Sequence, residues 1–427
     1  MKIAVQGLWH LGSVTSICLA SKNVKVLAVD TDENLVKNFN EGILPIYEPG
    51  LEDLFKKNKT NIKFTDDITQ LNDINLLWVT YDTPVDNNDK ADVDFVVQKI
   101  KKSLAFLKDS SVVLISSQLP VESIKSLELF VKNKERKISF AYSPENLRLG
   151  DALNVFLNPD RVIVGYRDEF TKKIISKILT KITKNIVWMS VESAEMTKHA
   201  INSFLATSVT FANELASICE KVGADAKQVE VGLKTDIRIG KKAYLGPGGP
   251  FAGGTLARDI KFLENISKKF NLQNKIISSV FKSNQNHKQW HQKLILDEFC
   301  GKLNKKKFLI LGLTYKPNTN TLRRSQSIEL INWLLSKNTL VSAYDPSIAQ
   351  SNNKVLNKID LLTKVDDLSM YDVIIIGTPL KSFVNLFDFK ILNKKAKNKI
   401  LIFDQHRLLD FPKTEKNIKY FTVGYVS

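Results

Sequence analysis

Short runs of β-branched and aliphatic residues recur along this chain with helical patterns between them, and that alternation constrains the fold more than any other feature. Lys2–Val5, Val24–Val29, Leu76–Thr80, Val112–Ser116 and Arg161–Gly165 read as strands. Strands separated by helices predict a mostly parallel sheet with helices on both faces. From Ser193 to about Val222 there is no Gly or Pro, and apolar residues recur at helical spacing. One long helix is expected there, as the spine of the molecule and a dimer contact. Strand patterns resume at Phe308–Leu311, Leu340–Ala343, Val373–Ile376 and Ile400–Phe403. The expected class is α/β: two doubly wound domains joined by a long central helix and helical segment.

The chain has 427 residues, enough for two or three domains. We divide it into residues 1–190, 191–300 and 301–427. Hydrophobic residues make up 43% and charged residues 25%, the profile of a soluble globular protein. No apolar run approaches the roughly 18 residues that a membrane helix needs. The apolar stretch from Lys2 to Ala20 is interrupted by Gln6, Gly7, His10 and Gly12, which suits a strand, turn and helix better than a signal peptide. Cys18, Cys219 and Cys300 are odd in number and far apart. They point to a reducing cytoplasm without disulfides, and to no metal site. The formal charge of +17 comes from lysines scattered in pairs and triples, such as Lys56–Lys57 and Lys305–Lys306–Lys307. They form no stripe interleaved with aromatics, so nucleic acid is not the expected partner. A positive field favours small anionic ligands.

Gly7-Leu8-Trp9-His10-Leu11-Gly12 follows a strand and opens a helix. Its first and third glycines fit the Rossmann dinucleotide fingerprint, and Asp30 ends the next strand, where a carboxylate accepts from ribose hydroxyls. This makes NAD the expected cofactor, with Gly7, Trp9, His10, Leu11, Gly12 and Asp30 as its contacts. Trp9 stands where a glycine normally lets the backbone approach the pyrophosphate.

A more specific pattern begins at Leu44-Pro45-Ile46-Tyr47-Glu48-Pro49-Gly50-Leu51. It continues in order through Thr83-Pro84, Ser143-Pro144-Glu145-Asn146-Leu147 and Asn158-Pro159-Asp160-Arg161. The helix carrying Lys198 and Asn202 comes next, then Arg238-Ile239-Gly240 and Gly253-Gly254 with Asp259. Gly312-Leu313-Thr314-Tyr315-Lys316-Pro317 and Tyr344-Asp345-Pro346 complete it. This series resembles the UDP-glucose/GDP-mannose dehydrogenases along nearly the whole chain. The resemblance implies an NAD-binding first domain, a central segment with a sugar-site loop, and a nucleotide-sugar-binding last domain. It also implies a cytoplasmic homodimer that supplies polysaccharide precursors.

Lys198 and Asn202 are spaced i, i+4 and project from one helix face. An ammonium beside an amide can stabilise charge on a substrate hydroxyl oxygen as its proton and a hydride leave. By resemblance, Glu145 is a general base or water-orienting residue, Asp259 a hydrogen-bond partner for Lys198, and Thr83 a cofactor contact. Asn146, Leu147, Gly253 and Gly254 are implied at the sugar. Arg238 is implied to reach the nucleotide sugar of a neighbouring subunit, and Lys316, Arg323 and Arg407 to serve the second nucleotide-binding domain. The loop from Leu245 to Thr255 is too rich in glycine to pack as an element, and a bare backbone suits close contact with a sugar.

Two positions depart from the family. Thr255 occupies the place of the cysteine that would add to an intermediate aldehyde, and its hydroxyl has no anionic fraction near neutrality. Gln118 replaces a threonine before Leu119-Pro120. The resulting alternatives are a single oxidation, a double oxidation with water as nucleophile, or binding without turnover.

Overall fold

The computed structural model describes residues 1–86, 91–145, 147–252, 254–317, 319–348, 353–412 and 414–426. Asn146 and Gly253 lie outside them. The chain forms two compact units, Met1–Ile201 and Asn202–Ser427.

The first unit holds eight strands: β1 (Ile3–Gln6), β2 (Val26–Val29), β3 (Ile62–Thr65), β4 (Leu76–Val79), β5 (Val112–Ile115), β6 (Ser139–Tyr142), β7 (Val162–Gly165) and β8 (Ile186–Met189). Their order is β3-β2-β1-β4-β5-β6-β7-β8. The central strands β1, β4 and β5 are buried at every position. A parallel sheet covered on both faces requires this, and it explains their unbroken apolar runs. Residues of alternating parity feed separate cores. Ala4, Leu77 and Val113 pack on one face, and Ile3, Val5 and Trp78 on the other. The parallel arrangement breaks once, where β6 meets β7 antiparallel through the pair Tyr142 and Gly165.

The second unit holds β9 (Lys307–Leu311), β10 (Leu340–Tyr344), β11 (Asp360–Leu361), β12 (Val373–Ile376), β13 (Ile400–Phe403), β14 (Ile418–Thr422) and β15 (Tyr425–Val426). Their order is β11-β10-β9-β12-β13-β14-β15, with β15 antiparallel. The expected class, two doubly wound α/β domains, describes the molecule.

The long helix runs from Val191 to Val222 over 32 residues. Glu195, Lys198, His199 and Asn202, all near its start, are buried, whereas Phe204, Phe211, Ile218 and Val222 are exposed. One expectation needs correction. Thr255 does not belong to the irregular glycine loop but opens a helix, Thr255–Lys269, capped by Gly254 in a positive-φ conformation. The stretch after Thr255 lacks Gly and Pro, so propensity takes over once the glycines end.

Candidate active site

In the first unit, β1 is followed by Gly7, whose φ is +96°. A Cβ there would come within 2.7 Å of Tyr81, and one at Gly12 would lie 1.7 Å from the Gly7 carbonyl oxygen. Contact therefore requires glycine at both positions, and conformation requires it at Gly7 as well. Asp30 accepts from the Leu8 N–H at 2.7 Å and from the Asp32 N–H at 3.2 Å. A carboxylate offers about four acceptor sites, so Asp30 keeps capacity for a ribose diol. The bare Gly7–Gly12 turn, the helix N-terminus behind it and this carboxylate fit a dinucleotide. Trp9 precedes the helix His10–Ser21 and is half exposed. Leu11 is buried in that helix. His10 contacts Glu48 at 2.8 Å, and the same carboxylate accepts from the N–H groups of Gly150 and Ala152. Glu48 thus ties the fingerprint helix to the segment following Leu147, which packs half-buried with Leu8 and Leu51.

The first turns of the long helix hold two further loops. The Lys198 ammonium donates to the Glu145 carbonyl and lies 3.7 Å from its carboxylate. The His199 ring contacts the Leu119 carbonyl at 3.1 Å. Glu195 accepts from the N–H groups of Glu122 and Ile124 at 2.9 and 3.0 Å. It thereby caps the helix Ser123–Lys132, whose own first residue supplies no side-chain cap. Burial raises the Glu195 carboxyl above its ordinary value, and these backbone donors only partly offset that. Thr83 donates to the Gln118 carbonyl at 2.6 Å. Gln118 is therefore fixed through its own backbone and through its neighbour's contact with His199. Sequence reasoning missed Glu195 and His199. Their i, i+4 spacing, alongside Lys198 and Asn202, was the available signal.

In the second unit, Asn202 donates to the Asp259 carboxylate, and Asp259 is fully buried. The glycine loop is pinned. Asn213 accepts from the Gly248 N–H at 3.0 Å and donates to the Gly249 carbonyl at 3.3 Å. Asn284 reads both backbone groups of Phe251 at 2.9 and 2.8 Å. His287 meets the Gly248 carbonyl and Gln326 the Pro250 carbonyl, each at 2.8 Å. A Cβ at Gly248 would lie 2.9 Å from the His406 ring. Sequence reasoning missed this clamp as well.

The remaining cationic candidates are spread over the second unit. Arg238 is exposed and bonded to Asp236. Lys316 and Arg323 lie on the segment between β9 and the helix Gln326–Leu335, where the Thr319 hydroxyl donates to the Lys316 carbonyl. Arg407 makes a two-pronged pair with Asp225 at 2.7 and 3.0 Å and stacks over Tyr425. It lines a cleft of about 1160 Å³ with Gln228 and Phe411. Thr255 is exposed at its helix start. Burial pushes the Cys18 thiol up to about 12, which makes it inert, and Cys219 is also buried. Among the described residues, no group of His, Cys, Asp or Glu is placed to hold a metal ion. None of their helices is long and apolar enough to cross a membrane.

Three sequence profiles of one family match in order. They are the NAD-binding domain of the UDP-glucose/GDP-mannose dehydrogenases at residues 1–183, the central domain at 192–286 and the UDP-binding domain at 309–411. The UDP-glucose 6-dehydrogenase of Rickettsia bellii is 33% identical over 440 residues, covering 99% of each chain. The UDP-glucose 6-dehydrogenase TuaD of Bacillus subtilis is 32% identical over 366 residues, covering 84% of this chain and 78% of the relative. A UDP-glucose dehydrogenase structure from Pyrobaculum islandicum shares the fold with a TM-score of 0.86 at 24% identity, covering 100% of this chain and 98% of the other. The chain belongs to the UDP-glucose/GDP-mannose dehydrogenase family and is an NAD-dependent nucleotide-sugar dehydrogenase.

Proposed function

We propose that the protein oxidises the primary alcohol of a UDP-sugar, with UDP-glucose the first candidate, and stops after one hydride transfer. The observation that carries the chemistry is the buried Lys198 ammonium, bonded to the Glu145 backbone and one helical turn from Asn202. An ammonium held in a dry site acts strongly on charge developing nearby. Lys198 and Asn202 hold the substrate oxygen and stabilise it as its proton leaves, and Glu145 takes that proton or orients the water that does. NAD, when bound, accepts the hydride from the carbinol carbon, which becomes an aldehyde. Gly7, Trp9, His10, Leu11, Gly12, Asp30 and Thr83 hold the cofactor. Asp259 fixes the Asn202 amide, and Gln118 orients the reacting carbon. Asn146, Leu147, Gly253 and Gly254 contact the sugar, and Arg238, Lys316, Arg323 and Arg407 serve the nucleotide.

Thr255 supports the single oxidation. Its hydroxyl cannot supply the thiolate that traps an aldehyde for a second hydride loss. Residues 1–190 form the cofactor domain, 191–300 the dimerising segment and 301–427 the nucleotide domain. Phe204, Phe211 and Ile218 recur every seven residues on the long helix and remain exposed. That spacing suits a helix-on-helix seam between two copies of the chain. The setting is the cytoplasm, in the supply of cell-surface polysaccharide precursors.

The deciding experiment counts NADH formed per UDP-glucose consumed. One NADH with a free aldehyde sugar is the expected result. Two NADH, without a sugar adduct on Thr255 by rapid-quench mass spectrometry, would make water the nucleophile of a second step. Lys198→Ala should lower kcat by on the order of a hundredfold or more while KM changes little. Unchanged turnover would place the chemistry elsewhere.

A further inference from the structure

Asp30 has a cation for a neighbour that the function described so far does not use. Lys99, on the helix Val93–Leu104, donates to the hydroxyl of Thr31, the residue after Asp30. Its ammonium lies 5.9 Å from the Tyr81 ring centroid and 5.5 Å from that of Phe95. Tyr81 in turn packs on Gly7. Gly7, Tyr81, Lys99, Thr31 and Asp30 therefore form one continuous run of contacts beside the fingerprint turn. Among the described residues, no carboxylate pairs with Lys99. Its charge meets a hydroxyl and two ring faces. An ammonium on a four-carbon stem, held only in this way, keeps donors for an anion.

The anion that would test this arrangement is a phosphate on the adenosine 2′ oxygen. Such a group carries a charge of about −1.5 to −2 near neutrality. Asp30, locked in place by the Leu8 and Asp32 N–H groups, would repel it. Lys99, bonded to the residue that follows Asp30, would attract it. The two side chains thus pull cofactor choice in opposite directions.

We propose that Asp30 alone keeps NADP out, and that Lys99 is a latent 2′-phosphate ligand uncovered when the Asp30 charge is removed. This rests on the assignment of Asp30 to the adenosine ribose. The test compares Asp30→Asn, which keeps an oxygen for the Leu8 N–H, with the double variant Asp30→Asn/Lys99→Met. Lys99→Gln serves as a second form if the methionine variant does not fold, as judged by thermal unfolding. Two readouts are taken: calorimetric affinity for adenosine 2′,5′-bisphosphate relative to 5′-AMP, and the ratio of kcat/KM for NADP over NAD. Asp30→Asn should raise both by roughly ten- to a hundredfold, the worth of one charged hydrogen bond, and loss of Lys99 should abolish the gain. A gain that survives without Lys99 overturns the proposal and leaves the Asp30 assignment standing. No gain, with NAD affinity reduced, also overturns it. No change in any affinity in Asp30→Asn overturns the assignment and the proposal together.

Discussion

Gly7 and Gly312 directly follow β1 and β9 with φ values of +96° and +91°. In each case the next residue donates its N–H to an aspartate at the end of the adjacent strand, Leu8 to Asp30 and Leu313 to Asp345, both at 2.7 Å. The strand order is also shared, β3-β2-β1-β4-β5-β6 against β11-β10-β9-β12-β13-β14. The two carboxylates differ in what else they hold. Asp345 also accepts from the Thr314 N–H at 3.2 Å and from the Ser347 N–H and hydroxyl at 2.9 and 2.6 Å. Among the described residues, Asp30 has only the Asp32 N–H in addition. The same turn is thus completed by its own aspartate in the second sheet and left with open acceptors in the first. Identical backbone geometry does not confer identical ligand capacity. In our reading, nucleotide contact in the second unit falls to the cations Lys316 and Arg323.

Removing the Asp345 carboxylate should have the largest effect. Asp345→Ala strands the buried N–H groups of Leu313 and Thr314 and releases both donors of exposed Ser347, and should cost about 3–5 kcal/mol in urea unfolding. A loss below about 1 kcal/mol would dissolve the contrast with Asp30. Acid comes next, and it too should separate the two units. His291 is buried without a hydrogen-bond partner for Nε2 among the described residues, and burial pushes its pKa down to about 3. The unfolded chain therefore binds the proton first. Stability should be complete above about pH 6.5 and fall by on the order of 3 kcal/mol by pH 4. His287 and His406, also lowered by burial, add to the slope in the same direction. His291→Gln should flatten it, and a slope unchanged in that variant would exclude His291 as the cause. Asp30→Ala should act least on the fold and most on the ligand. We expect NAD binding to weaken by about 1–3 kcal/mol in a fluorescence titration, with NAD preferred over NADP in the parent protein. Equal turnover with NADP in the parent would end the assignment.

The paired sheets were legible because a strand covered on both faces must be apolar throughout, as Leu76–Val79 and Val112–Ile115 are. The antiparallel step between β6 and β7 was not, since one ladder pair leaves no periodicity to detect. Lys198 and Asn202 could be placed on one helix face by spacing alone. Glu195 and His199 share that spacing, but spacing alone does not separate them from solvated polar residues, because their worth depends on which loops the helix covers. The clamp by Asn213 and Asn284 was hidden for a similar reason. It joins residues far apart in sequence, and an asparagine gives no local sign of the backbone it will meet. Asp345 stood within a recognised motif, yet its four donors come from the turn after β9 and from Ser347.

That clamp has a consequence for the speed of binding. The backbone of residues 248 to 251 is held by side chains from the long helix, the helix Lys275–Lys288 and Gln326. The entropy of ordering these residues has already been lost on folding. A ligand that meets residues 248 to 251 does not have to order them first. Association there should approach the rate of simple encounter, and a poorly shaped sugar should be rejected by fast departure rather than by slow entry.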